Sequence, residues 1–249
     1  MYNNLLDEDY LDKSIEMAKV ELVRYTDKGR LNLARNAAIY LGKEDFDNIR
    51  RPLSIIRRGH TLEIFRGEFA EFKFNGVSKE VYDHLTTYTT RNMRVTGGNR
   101  ALTSQDYVLP GDKIKDRKLL KDKISKNFDN YIELIKRGET PQVARSAMPI
   151  ACTMNTFVIQ FNFCTLIESF FPQRLWSAGA QSNTKHIAES MFSKLMIADA
   201  DLWDTVQLYH GEKYLGWKRA YQKLLKTQDG RDKLDEIIKS FGEDKSMWG

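Results

Sequence analysis

The hydrophobic pattern of this chain changes period, and that change constrains the fold more than any other feature. Over residues 60–76, "HTLEIFRGEFAEFKFNG", the apolar residues alternate: Leu62 and Ile64 flank Glu63, and Phe72 and Phe74 flank Lys73. Alternation lines one face of a strand with apolar side chains. With Gly67 between the two segments, the stretch predicts two strands joined as a hairpin. Residues 150–161, "IACTMNTFVIQF", are apolar and β-branched enough to predict a further strand. The rest of the chain follows a helical period, so the sheet is small and must be covered by helices.

Ile15, Ala18, Leu22 and Tyr25 fall on one face of a helix predicted over 7–25. A second helix runs over 31–42 and ends at Gly42, and a short one precedes Pro52. Ser78 caps a helix reaching about Tyr88. A long amphipathic helix over about 113–136 carries Leu120, Ile124, Phe128, Tyr131 and Ile135 on one face, and Gly138 ends it. "TPQVARSAMP" reads as a short helix stopped by Pro149, and a helix over 162–171 as broken by Pro172. Residues 182–198 form a further amphipathic helix, and the last fifty residues are helical and lysine-rich. There is no repeat, low-complexity segment or linker. The fold class is therefore α+β: a helix-rich single domain over 1–249 with a small, mainly antiparallel sheet, residues 200–249 forming a helical C-terminal extension.

Composition narrows the function. The 249 residues carry a net charge of +5, which favours anionic partners such as nucleotides. The 34 Asp and Glu residues are spread along the chain, unlike a basic nucleic-acid tail. Two cysteines, Cys152 and Cys164, exclude a disulfide framework, and no CxxC or HxxxH spacing points to a metal, so none is expected. The acidic N-terminus lacks the form of a signal peptide, and no apolar run reaches the length of a membrane span. A cytoplasmic protein is expected.

Between two helical segments lies "RNMRVTGGNRALTSQDYVLPG", residues 91–111, rich in arginine, asparagine and glycine. Backbone N–H groups around Gly97-Gly98 and nearby guanidiniums suit a phosphate cradle. The same residue types also suit a solvated turn. Polar residues also punctuate the ends of apolar elements. Arg145 follows Ala144 before Pro149, Arg174 follows Phe170, Phe171 and Pro172, and Ala180-Gln181 precedes Lys185. A guanidinium keeps its charge when partly buried and can bind phosphate or polarise a carbonyl. Read singly, Arg145 is a surface residue, Cys164 a small buried hydrophobe and His60 a structural histidine.

Taken in order, "GETPQVARSAMPI", "NFCTLIESFFPQR" and "AQSNTKHIAESM" resemble the C-terminal half of flavin-dependent thymidylate synthases. That family shows Ala-Arg-x-x-Leu-Pro, an Asn-led helix ending Phe-x-x-x-Arg, and an Ala-Gln-x-Glu-Ile-Arg helix. Ala144-Arg145 with Met148-Pro149 matches the first. Asn162, Leu166, Phe170 and Arg174 match the second with about one residue of slippage. Ala180-Gln181 and Lys185 match the third, with Asn183 in place of Glu. Upstream, "FKFNGVSKEVYDHL" looks like the family's strand and Gly-Val-Ser-Arg helix start, so the resemblance covers residues 60–198.

The family's signature, Arg-His-Arg-x-x-Ser-x-Asn-Glu-x-Ser-x-Arg-Tyr, is rewritten here. Thr87-Tyr88-Thr89 stand at Arg-His-Arg, Leu102 replaces Glu and Asp106 the phosphate-contacting Arg, while Ser104 and Tyr107 fit. The upstream Glu-His of the family reads Glu63-Ile64, unless His60 substitutes. An Asp repels a phosphate, so Arg91, Arg94 or Arg100 would have to restore the lost cation.

The resemblance implies one-carbon transfer to C5 of a pyrimidine deoxynucleotide, dUMP to dTMP. FAD, NADPH and methylenetetrahydrofolate would take part, in a homotetramer. It implies Arg174 as the catalytic residue and Arg145, Ser104, Gln105 and Arg100 as substrate contacts. Arg91, Asn92, Arg94, Asn162 and Ser169 would contact the cofactor. Two other readings stand beside this one. The first is a relative acting on another pyrimidine, such as a cytidylate or a modified base. The second is a nucleotide- or nucleic-acid-binding protein that kept the scaffold and lost the chemistry. With the enzyme reading, neither nucleic acid nor a membrane is expected as a partner.

Overall fold

The computed structural model describes residues 18–88, 94–96 and 106–242. Four strands form one antiparallel sheet in the order β1-β2-β4-β3: β1 (Lys19–Tyr25), β2 (Phe69–Asn75), β3 (Arg94–Thr96) and β4 (Phe157–Asn162). The alternation read in "FKF" sets the register. Phe72 faces Ile159 and Phe74 faces Phe157, all fully or almost fully buried. Each such side chain contributes about 1.5–3 kcal/mol of burial. The opposite face is polar, with Glu21 and Lys73 paired across β1 and β2 at 3.2 Å.

Helices cover the apolar face: α1 (Leu31–Tyr40), α2 (Arg51–Arg57), α3 (Lys79–Thr86), α4 (Arg117–Lys136) and α5 (Pro141–Ala144). Next comes α6, a continuous helix of Phe163–Thr165, a π turn Leu166–Phe170 and Phe171–Arg174. Then follow α7 (Ser182–Ala198), α8 (Ala200–His210), α9 (Glu212–Leu224) and α10 (Gln228–Gly242). The core runs from the sheet through Phe163, Phe170 and Phe171 of α6 to Phe192 of α7 and Trp203 of α8. Phe171 meets Phe192 edge-on at 5.2 Å and Trp203 at 5.9 Å. Among the described residues no helix is long and apolar enough to cross a membrane.

Several expected elements hold: α1 before Gly42, α3 capped by Ser78, α4 before Gly138, the whole of α7, and the C-terminal helices. Others are corrected. The helix expected over 7–25 is a strand from Lys19, residues 1–17 lying outside the described set. Leu22 and Tyr25 both turn inward because the register shifts between Leu22 and Arg24. A bulge moves the alternation by one residue, so a three-residue spacing that looks helical also lies on one face of a bulged strand. A helix there would also have left one edge of β2 unpaired.

The first half of the expected hairpin is a 3-10 turn, Leu62–Phe65, started by Thr61, whose Oγ1 accepts from the Glu63 N–H. Leu62 and Phe65 eclipse in that geometry and are both buried. β2 pairs instead with β1 and β4. Pro52 opens α2 rather than following a helix, because its missing N–H costs nothing in a first turn. Pro172 does not break α6. It sits in the first turn after the π turn, whose wider hydrogen bonding accommodates a residue lacking an N–H.

Candidate active site around α3, Arg145 and Arg174

The eight-residue helix α3 is bonded at its start to the segment that follows Arg145, and Tyr88 just beyond its end meets Arg174. Ser78 accepts from the Val81 N–H at 3.3 Å and starts it. Its first two N–H groups, of Lys79 and Glu80, donate to the carbonyls of Cys152 and Ile150 at 2.8 and 3.0 Å. These belong to the segment that follows the 3-10 turn Arg145–Ala147, so that turn is anchored at the start of α3. Tyr88, just beyond the other end, meets Arg174: the guanidinium carbon lies 5.9 Å from the Tyr88 ring centroid.

Both arginines are half-buried, and each has a buried Nε with no hydrogen-bond partner among the described residues. Buried guanidinium donors are almost always satisfied. Arg30, which also has unsatisfied nitrogens, faces the carboxylates of Asp199 and Asp201 at 3.3 and 2.9 Å. Arg145 and Arg174 have no such carboxylate partner in the described set, and each suits an anionic, oxygen-rich ligand.

Sequence reasoning named Tyr88 and Gln181 through the resemblance but missed their contacts, and it missed His84. Tyr88, the residue the resemblance sets against the His of Arg-His-Arg, is buried. Its ring meets Phe170 edge-on at 5.5 Å and its hydroxyl donates to Gln173 Oε1 at 2.9 Å. Gln181 caps α7 through Oε1, which accepts from the Thr184 N–H and hydroxyl at 2.8 and 2.9 Å. Its Nε2 donates to Glu80 at 3.3 Å. His84, on α3, has Nδ1 2.7 Å from Thr184 Oγ1. The Ser78 cap and the Ala-Gln start of α7 were the signals that could have joined these positions.

The segment leaving the rewritten signature is strapped down. The Asp106 carbonyl accepts from the Thr153 N–H at 2.9 Å, and Val108 N–H donates to the Ala151 carbonyl at 2.9 Å. Asn183 donates to the Leu109 carbonyl at 2.8 Å and accepts from the Gly111 N–H at 3.0 Å. The approach is close: a Cβ on Gly111 would stand 2.6 Å from Ser182 Oγ. Tyr107 bridges to Cys152 and its ring packs near Phe128.

The remaining expected residues fall elsewhere. Ser104, Gln105, Arg100, Arg91 and Asn92 lie outside the described residues, as do Gly97, Gly98 and Leu102. Arg94 opens β3, its backbone opposite Gln160. Asn162 is 5% exposed, and its Oδ1 accepts from the Thr165 N–H at 2.7 Å, capping α6. Ser169 lies in the π turn and is 4% exposed. Lys185 is half-buried on α7. His60 packs edge-on against Tyr40 at 6.0 Å. Burial pushes the Cys152 and Cys164 thiols up to about 11, so neither is a ready nucleophile. Among the described residues no cluster of three or more His, Cys, Asp or Glu could hold a metal.

The family model described as thymidylate synthase complementing protein matches residues 21–198. The chain belongs to that family. As a member it is a thymidylate synthase-like methyltransferase, and the matched range runs from β1 to the end of α7. A solved structure described as a UMP/dUMP methylase PolB from Streptomyces cacaoi bound with 5-Br dUMP is similar in fold. Its TM-score is 0.64 at 15% identity, covering 78% of this chain and 96% of that one. No curated protein sequence matches.

The cap on Asn162 gives a test that separates structure from cofactor contact. Asn162→Ala is expected to lower the unfolding free energy by about 1–2 kcal/mol, the usual cost of losing an N-cap. The midpoint of a urea melt reads it. An unchanged melt with a lost ligand affinity would instead make Asn162 a binding residue.

Proposed function

We propose that this family member transfers a one-carbon unit to C5 of a pyrimidine nucleotide, with dUMP as the first acceptor to test. The observation that carries the reading is that Arg145 and Arg174 each keep a buried Nε with no hydrogen-bond partner among the described residues. Arg145 holds the nucleotide through its anionic oxygens. Arg174 faces the pyrimidine ring and stabilises the negative charge that develops there during attack from C5. The buried Tyr88 ring beneath it restricts the guanidinium, and a restricted cation needs no reorganisation as charge forms.

When bound, FAD supplies a hydride that NADPH provides, and methylenetetrahydrofolate is the co-substrate that brings the carbon. Asn162 and Ser169 do not fit the cofactor role the resemblance gives them, since both are almost fully buried and Asn162 caps α6. Holding the flavin therefore falls to the segment of Arg91, Asn92 and Arg94. Arg100, Ser104 and Gln105 complete the substrate side. The reading also takes the chain as one domain, active as a homotetramer in the cytoplasm.

A second reading, a different pyrimidine as acceptor, is favoured by one observation. Tyr88 fills with a buried phenol a position where the family carries a charged signature. Purified protein is expected to bind FAD, seen as flavin absorbance that survives gel filtration. It is then expected to methylate dUMP in preference to dCMP and the ribose forms. Absence of flavin uptake overturns the cofactor assignment, and turnover of another pyrimidine alone moves the acceptor to that base.

A further inference from the structure

None of the thirteen residues of α9 is buried, and its contact with the hydrophobic core runs through Leu215. At about 100° per residue, Tyr214, Trp217, Tyr221, Leu224 and the following Leu225 share an arc of roughly 100° on the side away from Leu215. All five are exposed, Trp217 at 63%. A contiguous apolar stripe with aromatic side chains marks an interaction surface. Lys213 and Lys218 border the stripe on its two sides. Arg219, Lys223 and Lys226 add to the charge, against Glu212 alone. The family match ends at residue 198, so α9 and its stripe lie beyond the matched fold.

Charge decides among the possible occupants. A second α9 would set lysine borders against lysine borders. An anionic lipid surface would suit α9, but the adjoining α10 carries Asp229, Asp232, Asp235 and Glu236, which such a surface repels. The start of this chain has the opposite character. Residues 1–17, "MYNNLLDEDYLDKSIEM", lie outside the described residues and hold five carboxylates against one lysine. Leu5, Leu6, Tyr10, Leu11 and Ile15 are interleaved with those carboxylates. The length also suffices. Residues 1–17 lead into β1, whose far end meets α8 where Trp203 donates to the Tyr25 hydroxyl at 3.1 Å. α9 follows α8 directly after Gly211. An extended chain covers about 3.3–3.6 Å per residue, so about seven residues can retrace β1 and about ten remain to lie along the stripe. A tethered segment also acts at an effective concentration in the millimolar range.

We propose that residues 1–17 dock on the Tyr214–Leu225 stripe of the same chain's α9, their carboxylates against the bordering lysines and their apolar side chains on Trp217 and Tyr221. Exposed ion pairs contribute little, so the apolar contact carries most of the affinity and the charges set which segment binds.

Zero-length carbodiimide cross-linking of the full-length protein, read by peptide mass spectrometry, tests this. Lys213 and Lys218 are expected to be joined to Asp7, Glu8, Asp9 or Asp12. In a mixture of light and heavy-isotope protein, the links are expected to stay within one chain. Leu11→Asp with Ile15→Asp adds carboxylates, so it cannot lower the yield by removing reactive groups. Loss of the two apolar contacts is expected to cut the links at least about tenfold. Trp217→Ala, on an exposed helix face, is expected to cut them as well. Absence of links between residues 1–17 and α9 overturns the inference, as does an unchanged yield in both variants. Links found only between light and heavy chains give the stripe to a second copy and overturn it too. So does co-sedimentation with phosphatidylserine vesicles that is lost in Trp217→Ala, which gives the stripe to a membrane.

Discussion

Arg174→Ala is expected to lower kcat by about 10²–10³ while leaving the fold and dUMP affinity close to those of the wild type, the loss typical of removing one donor to developing charge. The geometry argues for so large an effect. The guanidinium is held against Tyr88 at the end of α6, half-buried, with a buried Nε that no described group satisfies. Its interaction strengthens as charge appears on the ring, so it acts on kcat more than on binding. Arg174→Lys is expected to recover little, since an ammonium cannot reproduce the planar donor set. Single-turnover methylation with saturating dUMP measures the effect. Activity within about threefold of wild type would remove Arg174 from the chemistry.

The largest stability effect is expected at Asp199. Its carboxylate accepts from the Leu202 N–H at 3.2 Å, starting α8, and faces Arg30 Nε at 3.3 Å. Arg30 is 9% exposed and adopts φ 59°, a left-handed conformation that a non-glycine residue keeps only when its surroundings impose it. Burial, helped by the Asp201 and Asp27 charges, holds the Asp199 carboxyl above its ordinary range against the Leu202 N–H and Arg30. The pair is therefore weak as a source of net stability but expensive to break, because Asp199→Ala removes the α8 cap and the buried one of the two carboxylates facing Arg30, leaving only the exposed Asp201. A loss of about 3–5 kcal/mol is expected in urea unfolding. Asp199→Asn, which keeps the cap, is expected to lose less. Replacing Arg30 and Asp199 together is expected to cost less than the sum of the single changes. Strict additivity would show that the two are not coupled.

The sequence carried the helices well wherever a cap or a terminating glycine agreed with the apolar period, as at Ser78, Gly138 and the Gln181–Ser182 start of α7. It misled where a local irregularity imitated another pattern. The bulge in β1 gave a strand a helical spacing, and the turn at Leu62–Phe65 gave a 3-10 helix an alternating one. Arg145 and Arg174 could be singled out because cations at the ends of apolar elements are conspicuous. The relay through His84, Thr184, Gln181 and Glu80 could not, since it joins residues about a hundred positions apart and each looks ordinary on its own helix. Asn162 shows what matching by motif leaves unread. The residue type agrees, yet its oxygen is taken by the backbone of its own helix.

The π turn in α6 acts as a phase shifter. In an unbroken α-helix each residue advances about 100° around the axis. The extra residue held in Leu166–Phe170 therefore rotates everything after it by about one such step, Arg174 included. The same helix can thus bury Phe163, Ile167, Phe170 and Phe171 and still deliver its final guanidinium to the side of Tyr88. The aim of that cation is written into the local helical pitch, several residues away from the side chain that carries the charge.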